Sequence, residues 1–144
     1  MIVSLRPVDE VVDQLLGLVK PTGKSELRAI DDAVNCCAAK NIESPINVPP
    51  ADNSAMDGYA IAYADANLQT SYRVSARIPA GHVGSRLAPG TVARIFTGAE
   101  VPVGADTVVM QENTELSGDE VKLLSLPGQF ENVRSKGQDI EAGS

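Results

Sequence analysis

The segment Pro49-Pro50-Ala51-Asp52-Asn53-Ser54-Ala55-Met56-Asp57-Gly58-Tyr59-Ala60 constrains what this chain can fold into more tightly than any other. Its two prolines fix φ and stiffen an extended approach. Asp52, Asn53 and Ser54 then offer short acceptors of the kind that open a turn or cap a helix. Gly58 follows closely and readily takes a positive φ, so the pattern predicts a single turn, with Asp57 the last side chain displayed before the chain reverses. Met56 and Tyr59, three apart, are expected to share one face of that turn and anchor it to a core. A carboxylate on so short and rigid a turn is a candidate site residue. The plainer reading is a capped turn whose Asp satisfies backbone N–H groups, and this segment alone favours it.

A second segment adds to the first. Residues 91–112 contain two β-type runs, Thr91–Phe96 and Thr107–Gln111, around a loop punctuated by Gly98, Pro102 and Gly104. Thr97 and Gly98 fall where the first run ends. A hydroxyl and an unencumbered backbone N–H there are suited to meet an oxyanion or a phosphate. The alternative is a long hairpin connection whose glycines serve geometry only.

The organisation changes near residue 45. Val8, Val11, Val12, Leu15, Leu16 and Val19 recur at helical spacing, with Asp9 and Glu10 in the first turn and Pro21 and Gly23 beyond the end. A second, shorter helix is expected from Asp31 or Asp32 to Lys40. From Ile46 onward glycine, proline and β-branched residues dominate, predicting strands at Ser71–Ile78, Thr91–Phe96, Thr107–Glu112 and Glu120–Leu126. The fold class is therefore α+β, mainly β: a helical arm followed by a small glycine-rich β domain.

Charge and composition narrow the function. A net charge of −7 argues against nucleic acid and against an anionic membrane surface, and it leaves any anion site to local cations or to another domain. The basic residues look scattered, with Arg73 and Arg77 on one predicted strand and Arg134 with Lys136 near the end. The 43% hydrophobic content is that of a globular chain. No apolar run approaches spanning length, and Met1-Ile2-Val3-Ser4-Leu5-Arg6 lacks the pattern of a secretory signal, so a cytoplasmic protein is expected. Cys36 and Cys37 are adjacent, which disfavours a disulfide, and two thiols alone make no zinc site. They read as small buried hydrophobes, Cys37 beside Val34 on a helix face. His82 reads as solvated in a polar loop, Tyr59, Tyr63 and Tyr72 as core or rim residues, and Glu112, Glu115, Asp119 and Glu120 as a solvated acidic edge.

Together these segments resemble the N-terminal region of the MoeA family, the molybdopterin molybdenumtransferases, whose eukaryotic relatives include the gephyrin E domain. The resemblance runs through Ser44-Pro45, Val48-Pro49-Pro50 and Asp52 to Ala60. It continues through Arg94-Ile95-Phe96-Thr97-Gly98-Ala99, Val101-Pro102, Gly104-Ala105-Asp106 and Val108-Val109-Met110-Gln111-Glu112. Asn132-Val133-Arg134, Gly137, Asp139-Ile140 and Gly143 form a third block. Departures lie in the scaffold: Asn35-Cys36 stands where the family usually has Gly-Arg, and Ala51 where it usually has an aromatic or another apolar residue.

The resemblance implies an N-terminal fragment of an enzyme that inserts molybdenum from molybdate into adenylylated molybdopterin, releasing AMP. It implies Mg2+ and molybdate held mainly on a later α/β domain, a homodimer, and a tail that returns to the arm. The expected division is residues 1–45 with 135–144 as a dimerisation arm, and 46–134 as the β domain. Asp57 and Thr97 become the candidate catalytic residues, with Asn53, Ser54, Gly98 and Arg134 as candidate substrate-binding residues; no metal ligand is assigned within the chain. Asp57 would serve either pterin N–H groups or a metal-bound water. Arg134 could hold a carboxylate or phosphate bidentately. Two other readings remain: a dimerisation or interaction module without catalysis of its own, and a small hydrolase built on Asp52 and Asp57. The hydrolase lacks a base histidine or metal cluster.

Overall fold

The computed structural model describes residues 5–144. Met1 to Ser4, part of the segment read above as lacking a signal, lie outside the described residues. The chain divides into two units, residues 1–42 and 43–144.

In the first unit the helical periodicity produces helix α1, Val8–Leu18, with Asp9 and Glu10 in its first turn. Their charges favour the helix N-terminus. Val19 leaves the helix in an extended conformation, two residues before Pro21. The second helix expected from Asp31 or Asp32 to Lys40 is not there. A single 3-10 turn, Ile30–Asp32, takes its place. Asn35 follows at φ 66°, a left-handed conformation that interrupts any helix. Without a helix there is no buried stripe, so Val34, Cys36 and Cys37 are exposed rather than core residues.

The second unit is mostly β, and with α1 it makes the chain a mainly β protein with one α-helix. Strands β1 (Asn53–Ser54) and β8 (Val133–Arg134) form a two-stranded antiparallel sheet. The other six strands are β2 (Gly58–Ile61), β3 (Ser71–Ile78), β4 (Thr91–Ile95), β5 (Thr107–Met110), β6 (Thr114–Ser117) and β7 (Glu120–Leu123). They form one sheet in the order β5-β2-β4-β3-β7-β6. Every pairing is antiparallel except β3 with β4.

Strands β5, β2 and β4 are covered on both faces, whereas β3 and β7 expose alternate residues. Tyr59, Ile61, Tyr72, Val92, Val109, Val121 and Leu123 cluster on one side. Ala60, Ile78, Leu87, Ala93, Ile95 and Val108 cluster on the other. Each large apolar side chain removed from water in this way contributes roughly 1.5–3 kcal/mol. The tail closes the unit: Val48 N–H donates to Ile140 O at 2.8 Å, and Ser44 N–H to Ser144 O at 3.0 Å. The tail thus bonds to residues 44–48 within this unit.

The expected reversal at Gly58 is the main correction. Gly58 does not take a positive φ; it opens the interior strand β2, whose residues are all buried. The glycine is required by space, because a Cβ there would collide with the carbonyl of Val109 on β5. Tyr59 is core, whereas Met56 is 40% exposed and anchors nothing. Strand β6 replaces part of the expected acidic edge, though Glu112, Glu115, Asp119 and Glu120 all remain exposed.

Candidate functional site

Backbone pairing brings the three motif blocks together. Gly98 N–H donates to Ser54 O at 2.8 Å, Ser54 N–H to Ala99 O at 2.9 Å, and Val101 N–H to Asp52 O at 2.8 Å. On the opposite side Asn53 and Ser54 face Arg134 and Val133, and Ala55 N–H donates to Asn132 O at 2.8 Å. The Asp52 carboxylate accepts Lys136 N–H at 2.7 Å, so this acid organises the third block. Residues 52–55 are thereby fixed from both flanks before the site begins.

The turn that displays Asp57 is held by Ser54. Its buried hydroxyl donates to Met56 O at 2.5 Å and accepts Met56 N–H at 3.3 Å. Asp57 then extends towards the end of β4. Its Oδ1 accepts both the backbone N–H and the hydroxyl of Thr97, each at 2.8 Å. Its own carbonyl accepts Gln111 N–H at 3.0 Å, which ties the turn to the end of β5.

This geometry fixes the protonation state. The Thr97 N–H first and then the Thr97 hydroxyl, with a lesser contribution from the Arg94 charge, hold the Asp57 carboxyl below the usual carboxylate range against an opposing desolvation. Asp57 is therefore a carboxylate at neutral pH, with one oxygen locked by Thr97 and Oδ2 accepting no hydrogen bond among the described residues. Such a group accepts hydrogen bonds from a ligand's N–H or O–H; it is not a donor.

The remaining candidates are placed as follows. The Thr97 donors are turned to Asp57, and the Gly98 N–H to Ser54, so the donors expected to meet an oxyanion are engaged within the chain. Gly98 sits at φ 81° with open space where a Cβ would stand. Asn53 is half-buried between the flanking segments. Arg134 pairs with Asp139 at the surface, both about half exposed. His82 is exposed, as the polar loop predicted.

Arg94 is the site residue that sequence reading missed. It lies half-buried beside Asp57 and donates to Gly58 O at 2.9 Å, Ile95 O at 3.2 Å and Gln111 Oε1 at 2.5 Å. Its guanidinium stacks 4.5 Å from the Phe96 ring centre and 5.3 Å from that of Tyr59. The alternation Arg94-Ile95-Phe96 was the available signal, since it puts the arginine and the aromatic on one strand face. Among the described residues no group of three or more His, Cys, Asp or Glu is placed to hold a metal ion, so no metal step is assigned to these side chains.

Residues 6–144 match the family model described as the MoeA N-terminal region, domains I and II. A molybdopterin molybdenumtransferase of Nostoc sp. is 38% identical over 147 residues, covering 98% of this chain and 34% of the relative. The corresponding protein of Haemophilus influenzae is 36% identical, covering 94% of this chain and 34% of its own length. Among solved structures, a molybdopterin biosynthesis MoeA protein from Pyrococcus horikoshii superposes with a TM-score of 0.82 at 29% identity, covering 98% of this chain and 39% of that one. The chain thus spans about a third of the length of these curated relatives.

Proposed function

The chain belongs to the family of MoeA N-terminal regions, and from that footing we propose that it forms one wall of a molybdopterin molybdenumtransferase, which inserts molybdenum from molybdate into adenylylated molybdopterin. The observation that carries the reading is the junction of Asp57 with Thr97, from two separate motifs, around an ionised carboxylate. The locked oxygen fixes the direction of the free one, and a fixed acceptor orients a bound N–H group without reorganisation during the reaction. Thr97 acts on the substrate through Asp57, which makes it a positioning residue. Asn53, Ser54 and Gly98 hold the turn and its partner loop in register. Magnesium, and molybdate as substrate, are assigned to the part of the protein outside this chain, in a cytoplasmic setting. Molybdate-dependent release of AMP from adenylylated molybdopterin by the complete protein tests the reading. No release overturns it.

A second role rests on α1. Val8 is 75% exposed, Leu15 58% and Leu16 65%, an apolar stripe of the kind that marks an association surface. We assign the homodimer contact to this face of α1. Light scattering on the complete protein reads this directly, and a strictly monomeric mass at high concentration removes it.

A further inference from the structure

A β-bulge places a second arginine beside Arg94. Strand β3 pairs in parallel with β4, and the register shifts between Val74 and Ala76. Without that shift, period-two alternation would put Arg77 on the face opposite Val74. With it, Val74 lies opposite Val92 and Arg77 opposite Arg94, on one face. Ser75 secures the bulge, its hydroxyl lying 2.9 Å from Thr91 Oγ1 and 3.2 Å from Val92 O. In the same row Tyr59 of β2 lies opposite Arg94.

Two guanidinium groups therefore flank one ring. Arg77 and Arg94 each stack 4.5 Å from the Phe96 centre. Neither has a carboxylate within ion-pairing distance among the described residues. Arg94 spends three of its N–H groups on Gly58, Ile95 and Gln111, whereas the Arg77 side chain makes no hydrogen bond among the described residues. Stacking fixes the plane of each guanidinium; the edge of Arg77 stays open to an acceptor, and Arg94 keeps two N–H groups for one. Beside them is an open cavity of about 210 Å³, lined by Tyr59, Val74, Leu116 and Asp119 as well as by the two arginines. Its apolar wall exceeds the needs of a bare oxyanion.

The geometry points to an organic-phosphate site, with the phosphate on the Arg77 and Arg94 edges and the carbon body against Tyr59, Val74 and Leu116. Bidentate guanidinium contacts are the usual mode for such a group. Asp119 on the same cavity reduces the net positive charge and keeps the affinity modest. This deepens the reading above, because a pterin phosphate or its adenylylated form supplies that chemistry.

The test titrates this chain, labelled with 15N, with phenyl phosphate, inorganic phosphate and molybdate in parallel. Phenyl phosphate is expected to shift the amides of residues 73–78 and 93–97 with a Kd of about 1 mM, roughly tenfold tighter than inorganic phosphate or molybdate. Arg77→Gln should weaken binding about tenfold, and Asp119→Asn should strengthen it several-fold, with the remaining spectrum unchanged. Equal affinity for all three anions, no shifts at high concentration, or an unaffected Arg77→Gln variant overturns the site and leaves the transferase reading standing. Normal phenyl phosphate binding, together with a complete protein that releases no AMP, overturns the transferase reading and keeps the site.

Discussion

One carboxylate oxygen of Asp57 takes both the amide and the hydroxyl of Thr97, at 2.8 Å each, across a separation of 40 residues. Two donors converging on one oxygen do what a single cap cannot: they set the direction of the carboxylate as well as its charge. The other oxygen is then presented in a fixed orientation, with no hydrogen-bond partner among the described residues. Position and protonation state at this site thus have one structural cause.

That cause has a pH signature. The folded-state pKa of Asp57 is lowered from its ordinary value of 3.8, so the group contributes stability above that pH and loses it as pH falls through the lower folded value. Asp57→Asn should therefore be less stable than wild type at neutral pH, with the gap closing in strong acid. Urea midpoints across that range measure it. In Thr97→Ala the hydroxyl is gone and the larger backbone N–H contribution remains, so the Asp57 carboxyl should titrate at a pH between its wild-type and ordinary values. Carboxyl-detected NMR reads this site directly. A gap between Asp57→Asn and wild type that does not vary with pH would remove Asp57 as the source.

Gly58 and Gly98 should fail for different reasons when changed to alanine. At Gly58 the added Cβ meets the Val109 carbonyl inside the sheet, and neither backbone can retreat. A loss of about 3 kcal/mol or more, or no folding at all, is expected. At Gly98 nothing obstructs the Cβ, but φ is 81°. The cost there should be about 1–2 kcal/mol. Denaturant melts of both variants rank them, and a tolerated alanine at 58 would contradict the close approach of β2 and β5.

The same glycine shows where sequence reading reaches and where it stops. Periodicity located α1, and β-branched runs located β3, β4, β5 and β7, because those elements have a strong local preference. Strand β2 is buried on both faces and short, so Gly58 to Ile61 carries no alternation and reads as a turn. The second helix was expected on local pattern alone and finds no packing partner in its unit. At the site, Asp57 and Thr97 were each legible from motif chemistry, but their contact is tertiary. Arg77 was invisible as a neighbour of Arg94, because the bulge that unites them changes the phase of β3.

Tyr72 tests the core beneath the site. The residue is 1% exposed, yet its hydroxyl donates to Asp65 O at 2.6 Å and accepts Asn67 N–H at 2.6 Å. Tyr72→Phe keeps the ring and strands both partners, which should cost about 1–3 kcal/mol. Faster amide exchange at Asn67 should accompany the loss. An unchanged melt would mean that water replaces the hydroxyl without penalty.

The last prediction separates architecture from chemistry at Asp57. In the complete protein Asp57→Asn keeps the side-chain volume and most hydrogen-bonding capacity, while the charge and one acceptor oxygen are lost. If the carboxylate orients the substrate during molybdenum insertion, AMP release should fall roughly a hundredfold or more, as it does when a fixed electrostatic partner is removed from other active sites. The neutral-pH stability gap predicted above for this variant should remain but be moderated, because the Thr97 donors can still bond the amide oxygen. If the carboxylate serves only the turn, the melt moves by that same gap while activity per folded molecule holds. Both measurements must be made on the same preparations, since partial unfolding lowers activity without touching chemistry. Near-normal AMP release by the Asn variant would assign the Asp57–Thr97 junction to structure alone and leave the arginine face as the part of this chain closest to substrate.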